Sequence, residues 1–205
     1  MAKIVSREDK SVRLFKNPVL EYFSHIHPAT PVVVYVPVIL VSLYFGFSGI
    51  NIINGILGYT GGLLIWTLLE YTIHRWAFHT HPTSEAGKKI HFLVHGVHHD
   101  YPNDSTRLVM PLLISAPLAV GFYFLFKVLF GNLYLTFFAG LVTGYVLYDS
   151  IHYATHHFKM KKGIFRFLRE YHMRHHFQDE KTAFGVSNPL WDYVFGTVPG
   201  HIKKK

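Results

Sequence analysis

Four apolar stretches, each near twenty residues, are set off along the chain by polar, histidine-rich segments. They run over 31–50 (PVVVYVPVILVSLYFGFSGI), 52–71 (IINGILGYTGGLLIWTLLEY), 108–130 (LVMPLLISAPLAVGFYFLFKVLF) and 133–151 (LYLTFFAGLVTGYVLYDSI). About twenty apolar residues in a helix cross roughly 30 Å of hydrocarbon, so each stretch is expected to span a membrane. Pro37, Pro111, Pro117 and several glycines interrupt them. Membrane helices tolerate such residues because neighbouring helices re-satisfy the freed backbone groups. A soluble bundle of this size would need charged faces on these same segments, and they carry almost no charge.

The first pair of stretches is joined by FSGINII and the second by FGNL, both too short for a domain and both free of Lys and Arg. Two tight helical hairpins are therefore expected. Of the 20 Lys and Arg residues only Lys127 falls inside a span or hairpin tip; the others lie in the N-terminal tail, in 72–107 or after 152. By the positive-inside bias those three regions share the cytoplasmic side. The predicted architecture is an all-α integral membrane protein, with four transmembrane helices in two hairpins and a cytosolic helical His-rich cap. It reads as a single domain, 1–205: a cytosolic tail (1–30), a first hairpin (31–71), a cytosolic His-rich segment (72–107), a second hairpin (108–151) and a cytosolic His-rich cap and tail (152–205). The expected location is multi-pass in the endoplasmic reticulum for a eukaryotic chain or the inner membrane for a bacterial one.

Composition agrees: half of the 205 residues are hydrophobic, 17% are aromatic and only 16% are charged. A formal charge of +8 raises nucleic acid as a partner, but the basic residues flank apolar runs and form no nucleic-acid motif, so none is expected. The basic tail (Lys3, Arg7, Lys10, Arg13, Lys16, with Glu8 and Asp9) is followed by no cleavable signal core, and it reads as a retained cytosolic segment. With no cysteine, disulfides, thiolate metal sites and a cysteine nucleophile are excluded.

Histidine is the surplus, at 16 residues. Four clusters hold most of it: HRWAFH (74–79), HFLVHGVHH (91–99), HYATHH (152–157) and HMRHH (172–176). His95, His98 and His99 stand at i, i+3, i+4, so on a helix their rings are expected to leave one face and meet at a common point. The same spacing returns at His172, His175 and His176. Neutral imidazoles suit iron, zinc, copper or nickel in preference to calcium or magnesium. Eight to ten of them are too many for one ion and about right for two. His25, His27, His81 and His201 read as ordinary polar residues. A non-enzymatic metal transport or storage protein would place ligands near mid-membrane, whereas these spans hold polar ligands only at their cytoplasmic ends.

On these residues the chain resembles the fatty acid hydroxylase superfamily of membrane di-iron enzymes, and within it the fatty acid 2-hydroxylases. The likeness rests on EYTIHRWAFH, HFLVHGVHHDYPNDSTRLVMP, GYVLYDSIHYATHH, EYHMRHHF and FGVSNPLWDYVFGTVP. It implies His74, His79, His95, His98, His99, His152, His156, His172, His175 and His176 as metal ligands. His91 and His157 would orient ligands, as would Asp149, which stands three residues before His152. The implied reaction is O2-dependent hydroxylation of a fatty acid or ceramide acyl chain at C2. It needs two metal ions, iron for activity, although zinc fits nitrogen sites and can replace iron during isolation. A sterol or carotenoid hydroxylase or desaturase of the same superfamily is the alternative.

Some relatives carry a fused cytochrome b5 domain with an HPGG box, whereas this chain has only His27-Pro28-Ala29-Thr30. Electrons are therefore expected from a separate donor such as cytochrome b5 or a ferredoxin with its reductase. Trp66, Tyr71, Trp76, Phe78 and Tyr153 are expected to line the acyl chain's path, with C2 nearest the metals. Arg75, Asn103, Asp104, Arg107 and Tyr148 are candidate head-group contacts, and the aromatic NPLWDYVF segment is expected to close the site.

Overall fold

The computed structural model describes residues 6 and 8–200; residues 1–5, 7 and 201–205, and with them Lys3 and Arg7 of the basic tail and His201, lie outside the described residues. Every regular element among the described residues is helical. In order they are α1 (Pro18–Phe23), α2 (Thr30–Ser48), α3 (Ile52–Thr72), a π-helical segment (Ile73–Phe78), α4 (Glu85–His91), a second π-helical segment (Phe92–Gly96), α5 (Val97–Asp100), α6 (Leu112–Phe130), a 3-10 turn (Gly131–Leu133), α7 (Tyr134–His157), α8 (Gly163–Phe177) and α9 (Leu190–Phe195). Three helical runs are long and apolar enough to cross a membrane: Thr30–Ser48, Ile52–Phe78 and Leu112–His157. The third is 46 residues long. It joins the third and fourth apolar stretches of the sequence through the 3-10 turn, where Gly131 takes φ +51, a conformation that glycine reaches without the clash of a β-carbon.

α7 is the hub. It lies parallel to α3 and antiparallel to α2 and α6, as its contacts with Trp66, Tyr35 and Phe126 require. Small residues permit the close approach to α3. A β-carbon added to Gly140 would stand 2.0 Å from the carbonyl oxygen of Tyr59, and one added to Gly62 would stand 2.0 Å from that of Phe137. Backbone packs on backbone at both points, as at other membrane helix interfaces where association rests on van der Waals fit. The core around α7 comprises Tyr35, Ile39, Phe126, Phe138, Ala139, Leu141, Val142, Tyr145 and Val146. Tyr35 donates its hydroxyl to Ser115 Oγ at 2.8 Å, satisfying a polar pair inside that core.

The outer faces of these helices are apolar and open: Val33, Leu40, Tyr44 and Val128 are 68%, 60%, 73% and 83% exposed. An apolar band of this extent is unfavourable in water and suits lipid. Both α3 and α7 continue beyond the apolar stretches, α3 through the π segment to Phe78 and α7 to His157, so their histidines ride on extensions of the spans. The N-terminal segment folds back onto the loop before α6. Ser11 donates to Asp104 at 2.7 Å, Ser105 N–H donates to Asp9 at 2.9 Å, and Arg107 holds Glu21 at 2.6 Å and the carbonyl of Val12.

Candidate metal centre

The first histidine box is HRWAFH, an i, i+5 pair. In an α-helix such positions differ by about 140° around the axis. Ile73–Phe78 is instead π-helical, and its five-residue hydrogen-bond step brings i and i+5 close to one face. His74 and His79 therefore meet, Nε2 to Nε2 at 3.3 Å. The second π segment, Phe92–Gly96, carries His95 into α5 with His98 and His99.

Ten imidazoles converge in two groups of five, His74, His79, His95, His99 and His175 in one, His98, His152, His156, His172 and His176 in the other. Within each group the ligand atoms all lie within 4.8 Å of one another. The common point expected for His95, His98 and His99 is corrected here: His95 and His99 join the first group and His98 the second. The reason is angular, since i and i+4 differ by about 40° around a helix while neighbours differ by about 100°. The other HxxHH box is divided the opposite way, giving His172 and His176 to the second group and His175 to the first. The two HxxHH boxes thus span both groups, while His74 and His79 fall wholly in the first and His152 and His156 wholly in the second; the groups abut, with the rings of His99 and His176 stacked at 4.3 Å.

The donor set fits metal ions. In the first group His79 Nε2 lies 3.3 Å from His74, 3.1 Å from His95 and 2.9 Å from His175, and His95 lies 2.9 Å from His99. In the second, the pairs His98–His176, His98–His152, His156–His172 and His172–His176 each stand 3.0 Å apart. Two nitrogens bound to one ion at about 2.0–2.1 Å stand about 2.9 Å apart at a right angle and about 3.4 Å apart at the tetrahedral angle. Protons cannot satisfy this crowding, because one N–H on His79 serves a single neighbour. Two tautomers are also fixed: His74 Nδ1 donates to the carbonyl of Phe184 at 2.5 Å and His175 Nδ1 to that of Thr182 at 2.7 Å. A carbonyl only accepts, so Nδ1 carries the proton and each neutral ring turns a bare Nε2 lone pair inward.

Electrostatics point the same way. Burial, followed by the neighbouring imidazoles, pushes His95, His98, His172, His175 and His176 well below the ordinary histidine value and keeps them neutral. Aromatic rings shield the sites. Phe184 lies 5.6–5.7 Å from the rings of His74, His79 and His175, Phe78 stacks on His95 at 4.9 Å, and Tyr148 stacks on His152 at 5.6 Å.

The sequence model of the family described as fatty acid hydroxylase matches residues 59–197, a span that contains all ten histidines. The chain belongs to the fatty acid hydroxylase family. It is 40% identical over 171 residues to the dihydroceramide fatty acyl 2-hydroxylase FAH2 of Arabidopsis thaliana, covering 83% of this chain and 70% of that one. It is 42% identical over 146 residues to the fatty acid 2-hydroxylase of Rattus norvegicus, covering 67% of this chain but only 38% of the rat protein. A solved structure of full-length scs7p, in which only the hydroxylase domain is visible, superposes with a TM-score of 0.85 at 35% identity, covering 91% of this chain and 71% of that one.

In this family member the remaining expected site residues divide by place. Tyr71 is fully buried, stacked on Phe195 at 5.2 Å, with its hydroxyl 3.0 Å from Thr197 Oγ1 and accepting from Arg75 at 2.7 Å. Arg75 also lies against the rings of Trp76 and Phe184. Trp76 is 55% exposed beside Phe195. Trp66 is wedged between α3 and α7 against Tyr145 and Tyr148. Asp104 and Arg107 are both buried and engaged with the N-terminal segment. Asn103 is half-buried in the same loop. Tyr153 stacks on His157 at 4.4 Å and lines a separate cleft with His25, His27, Ser105 and Thr106. His91 and His157 stand outside both five-histidine groups. Asp149 is buried and accepts from the Met110 N–H at 3.4 Å, with the Tyr145 hydroxyl also directed to its carboxyl.

Sequence reasoning missed the carbonyls of Thr182 and Phe184 and the two buried carboxylates behind them, Glu70 and Asp192. A backbone carbonyl has no side-chain signature. The carboxylates had one, since an acid inside an apolar span (Glu70) or an aromatic run (Asp192) is costly unless partnered.

Proposed function

We propose that this chain hydroxylates the acyl chain of a fatty acid or ceramide at C2, using O2 and two metal ions held by the two five-histidine groups. The observation that carries the reading is the convergence of ten imidazoles from four separated boxes in a member of a lipid hydroxylase family. The reaction balances as R–H + O2 + 2 e⁻ + 2 H⁺ → R–OH + H2O. It requires an external two-electron donor, such as cytochrome b5 or a ferredoxin with its reductase. His74, His79, His95, His99 and His175 would hold one ion and His98, His152, His156, His172 and His176 the other. Bound iron supplies the O2 activation that breaking an unactivated C–H bond demands.

The chain's own residues bind, orient and shield. The carbonyls of Phe184 and Thr182 hold His74 and His175 in one tautomer, and burial keeps the rings neutral so that their lone pairs are available. Phe78 and Tyr148, stacked on His95 and His152, and Phe184, packed against His74, His79 and His175, shield those rings from water. Leu112–Phe130 and Tyr134–His157 are read as two separate passes, giving four spans in two hairpins, with the histidine-bearing ends of α3 and α7 on the cytoplasmic side. This reading follows from the Lys and Arg distribution and from the reversal at Gly131. An acyl chain entering from the apolar faces with its polar end at the interface brings C2, the carbon beside that end, nearest the histidines. Trp76, with Arg75 behind it, and the exposed aromatic edge of α9 sit at the same boundary. Expression in an iron-replete host that lacks 2-hydroxy lipids and contains a compatible reductase should yield 2-hydroxy acyl chains by mass spectrometry. His95→Ala or His175→Ala should abolish them; lipids left unchanged by the wild-type chain would refute the assignment.

A further inference from the structure

The two five-histidine groups are built differently behind their inward-facing nitrogens. Behind the first, Ala183 adopts φ +60, a left-handed conformation that a β-carbon disfavours. The carbonyls on either side of it, those of Thr182 and Phe184, are the ones that receive His175 Nδ1 and His74 Nδ1. Every backbone N–H from Ala183 to Ser187 is engaged. Ala183 donates to the Thr197 carbonyl at 2.9 Å, Phe184 and Gly185 donate to Asp192 Oδ1 and Oδ2 at 2.9 and 2.8 Å, and Val186 and Ser187 both donate to Glu70 Oε1 at 2.7 Å. Hydroxyls complete the clamp: Thr197 donates to Asp192 Oδ1 at 2.7 Å and Ser187 to Glu70 Oε2. Glu70 and Asp192 are 4% and 0% exposed, and these N–H and O–H donors hold their oxygens, with the Tyr171 hydroxyl also directed to Asp192. A buried carboxylate satisfied in this way fixes the segment that surrounds it. Carbonyls thus hold two of the five rings in the first group, whereas in the second none is held this way among the described residues, and the Nδ1 atoms of His152, His172 and His176 are buried there without a hydrogen-bond partner.

We propose that the two metal positions are unequal: Glu70 and Asp192, acting through the carbonyls of Thr182 and Phe184, are positioning residues that make the His74, His79, His95, His99 and His175 group the tighter site. This rests on the reading above that each group holds an ion. A carbonyl on Nδ1–H fixes the tautomer, locks the ring's orientation and raises the basicity of Nε2, and losing such a partner costs roughly 10–100-fold in metal affinity. Rings without that partner must select a tautomer and an orientation each time an ion enters.

The test is a Co2+ titration of the purified, metal-stripped full chain against graded chelator, read by elemental analysis and by the cobalt absorption spectrum. The wild-type chain should fill in two steps at least roughly tenfold apart. His79→Ala should move the tighter step and His156→Ala the weaker one. Asp192→Asn turns the acceptor facing the Gly185 N–H into a donor, and it should shift the tighter step alone toward the weaker by roughly 10–100-fold. Glu70→Ala should do the same, while Glu70→Gln, which keeps the Oε1 acceptor, restores most of the separation. Ser187→Ala removes one hydroxyl from the clamp, and in a chain that still folds it should shift the tighter step by a smaller factor.

Release of two ions in a single step, Asp192→Asn moving both steps alike, or a tighter step untouched by both Glu70→Ala and Ser187→Ala would overturn the proposal. Binding of no Co2+ at all would remove the metal reading beneath it. Two unequal ions in a chain that leaves lipids unchanged would support the asymmetry while refuting the hydroxylase assignment.

Discussion

His98 and His99 are adjacent in sequence yet serve different groups, and this division is the part of the site that spacing alone could not supply. Spacing marked eight of the ten, at i, i+3, i+4 in two boxes and at i, i+4 in a third; His74 and His79 stand at i, i+5, the family resemblance implied the full set, and all ten are brought together. Helical spacing tells which rings share a face but not which distant box faces them, so the pairing of His175 with His74 and of His98 with His152 needed the fold. The carbonyls of Thr182 and Phe184 were invisible for a different reason, since any residue supplies one. At this scale the buried neutral histidines also set a pH dependence. Their folded values are depressed relative to an unfolded value of about 6.5, so the unfolded chain binds more protons below that pH. The stability they protect is fully present above about pH 6.5 and is lost as the pH falls. Thermal unfolding of the metal-stripped chain in detergent should give a Tm that is flat from pH 8 to 7 and drops progressively toward pH 5. A Tm that rises on acidification would contradict the neutral burial of these rings.

Among the elements, the apolar stretches were readable from composition, but their ends were not. Hydropathy falls off near Tyr71 and Ile151, whereas the helices run on to Phe78 and His157 and carry His74, His152 and His156 into the two histidine groups. The π segments were equally hidden, although the i, i+5 spacing of His74 and His79 suits no α-helical face. Packing between α3 and α7 gives a sharper test. Gly140→Val forces a side chain against the Tyr59 carbonyl, and overpacking of this kind costs about 1–3 kcal/mol or more. A clearly lowered Tm is expected in detergent. Gly121 on α6 has open space where a β-carbon would stand, so Gly121→Ala should leave Tm unchanged or slightly higher.

Across the whole molecule, the sequence foretold a basic tail but not that the tail docks. Arg107 was expected at a lipid head group, and the structure engages it with Glu21, Ser24 and the Val12 carbonyl. Burial opposes the charge on Glu21, but the Phe15 N–H, His25, the Leu14 N–H and Arg107 outweigh it and hold the carboxyl at about 2. That anchor therefore persists through the neutral range and into mild acid. Arg107→Gln should release the segment, so that trypsin cuts at Arg13 and Lys16 several-fold faster than in the wild type; unchanged cleavage would mean that the docking does not depend on this residue. The docked tail, the bundle and the histidine cap together surround one chemical claim, that oxygen from O2 enters a lipid at C2. The most direct measurement supplies the purified, iron-loaded protein with an acyl lipid, a reductase-coupled electron donor and 18O2, and reads the product by mass spectrometry. The expected result is one 18O atom in a hydroxyl on C2, with none acquired when the label is in water instead. A hydroxyl on another carbon, or oxygen drawn from water, would contradict the account.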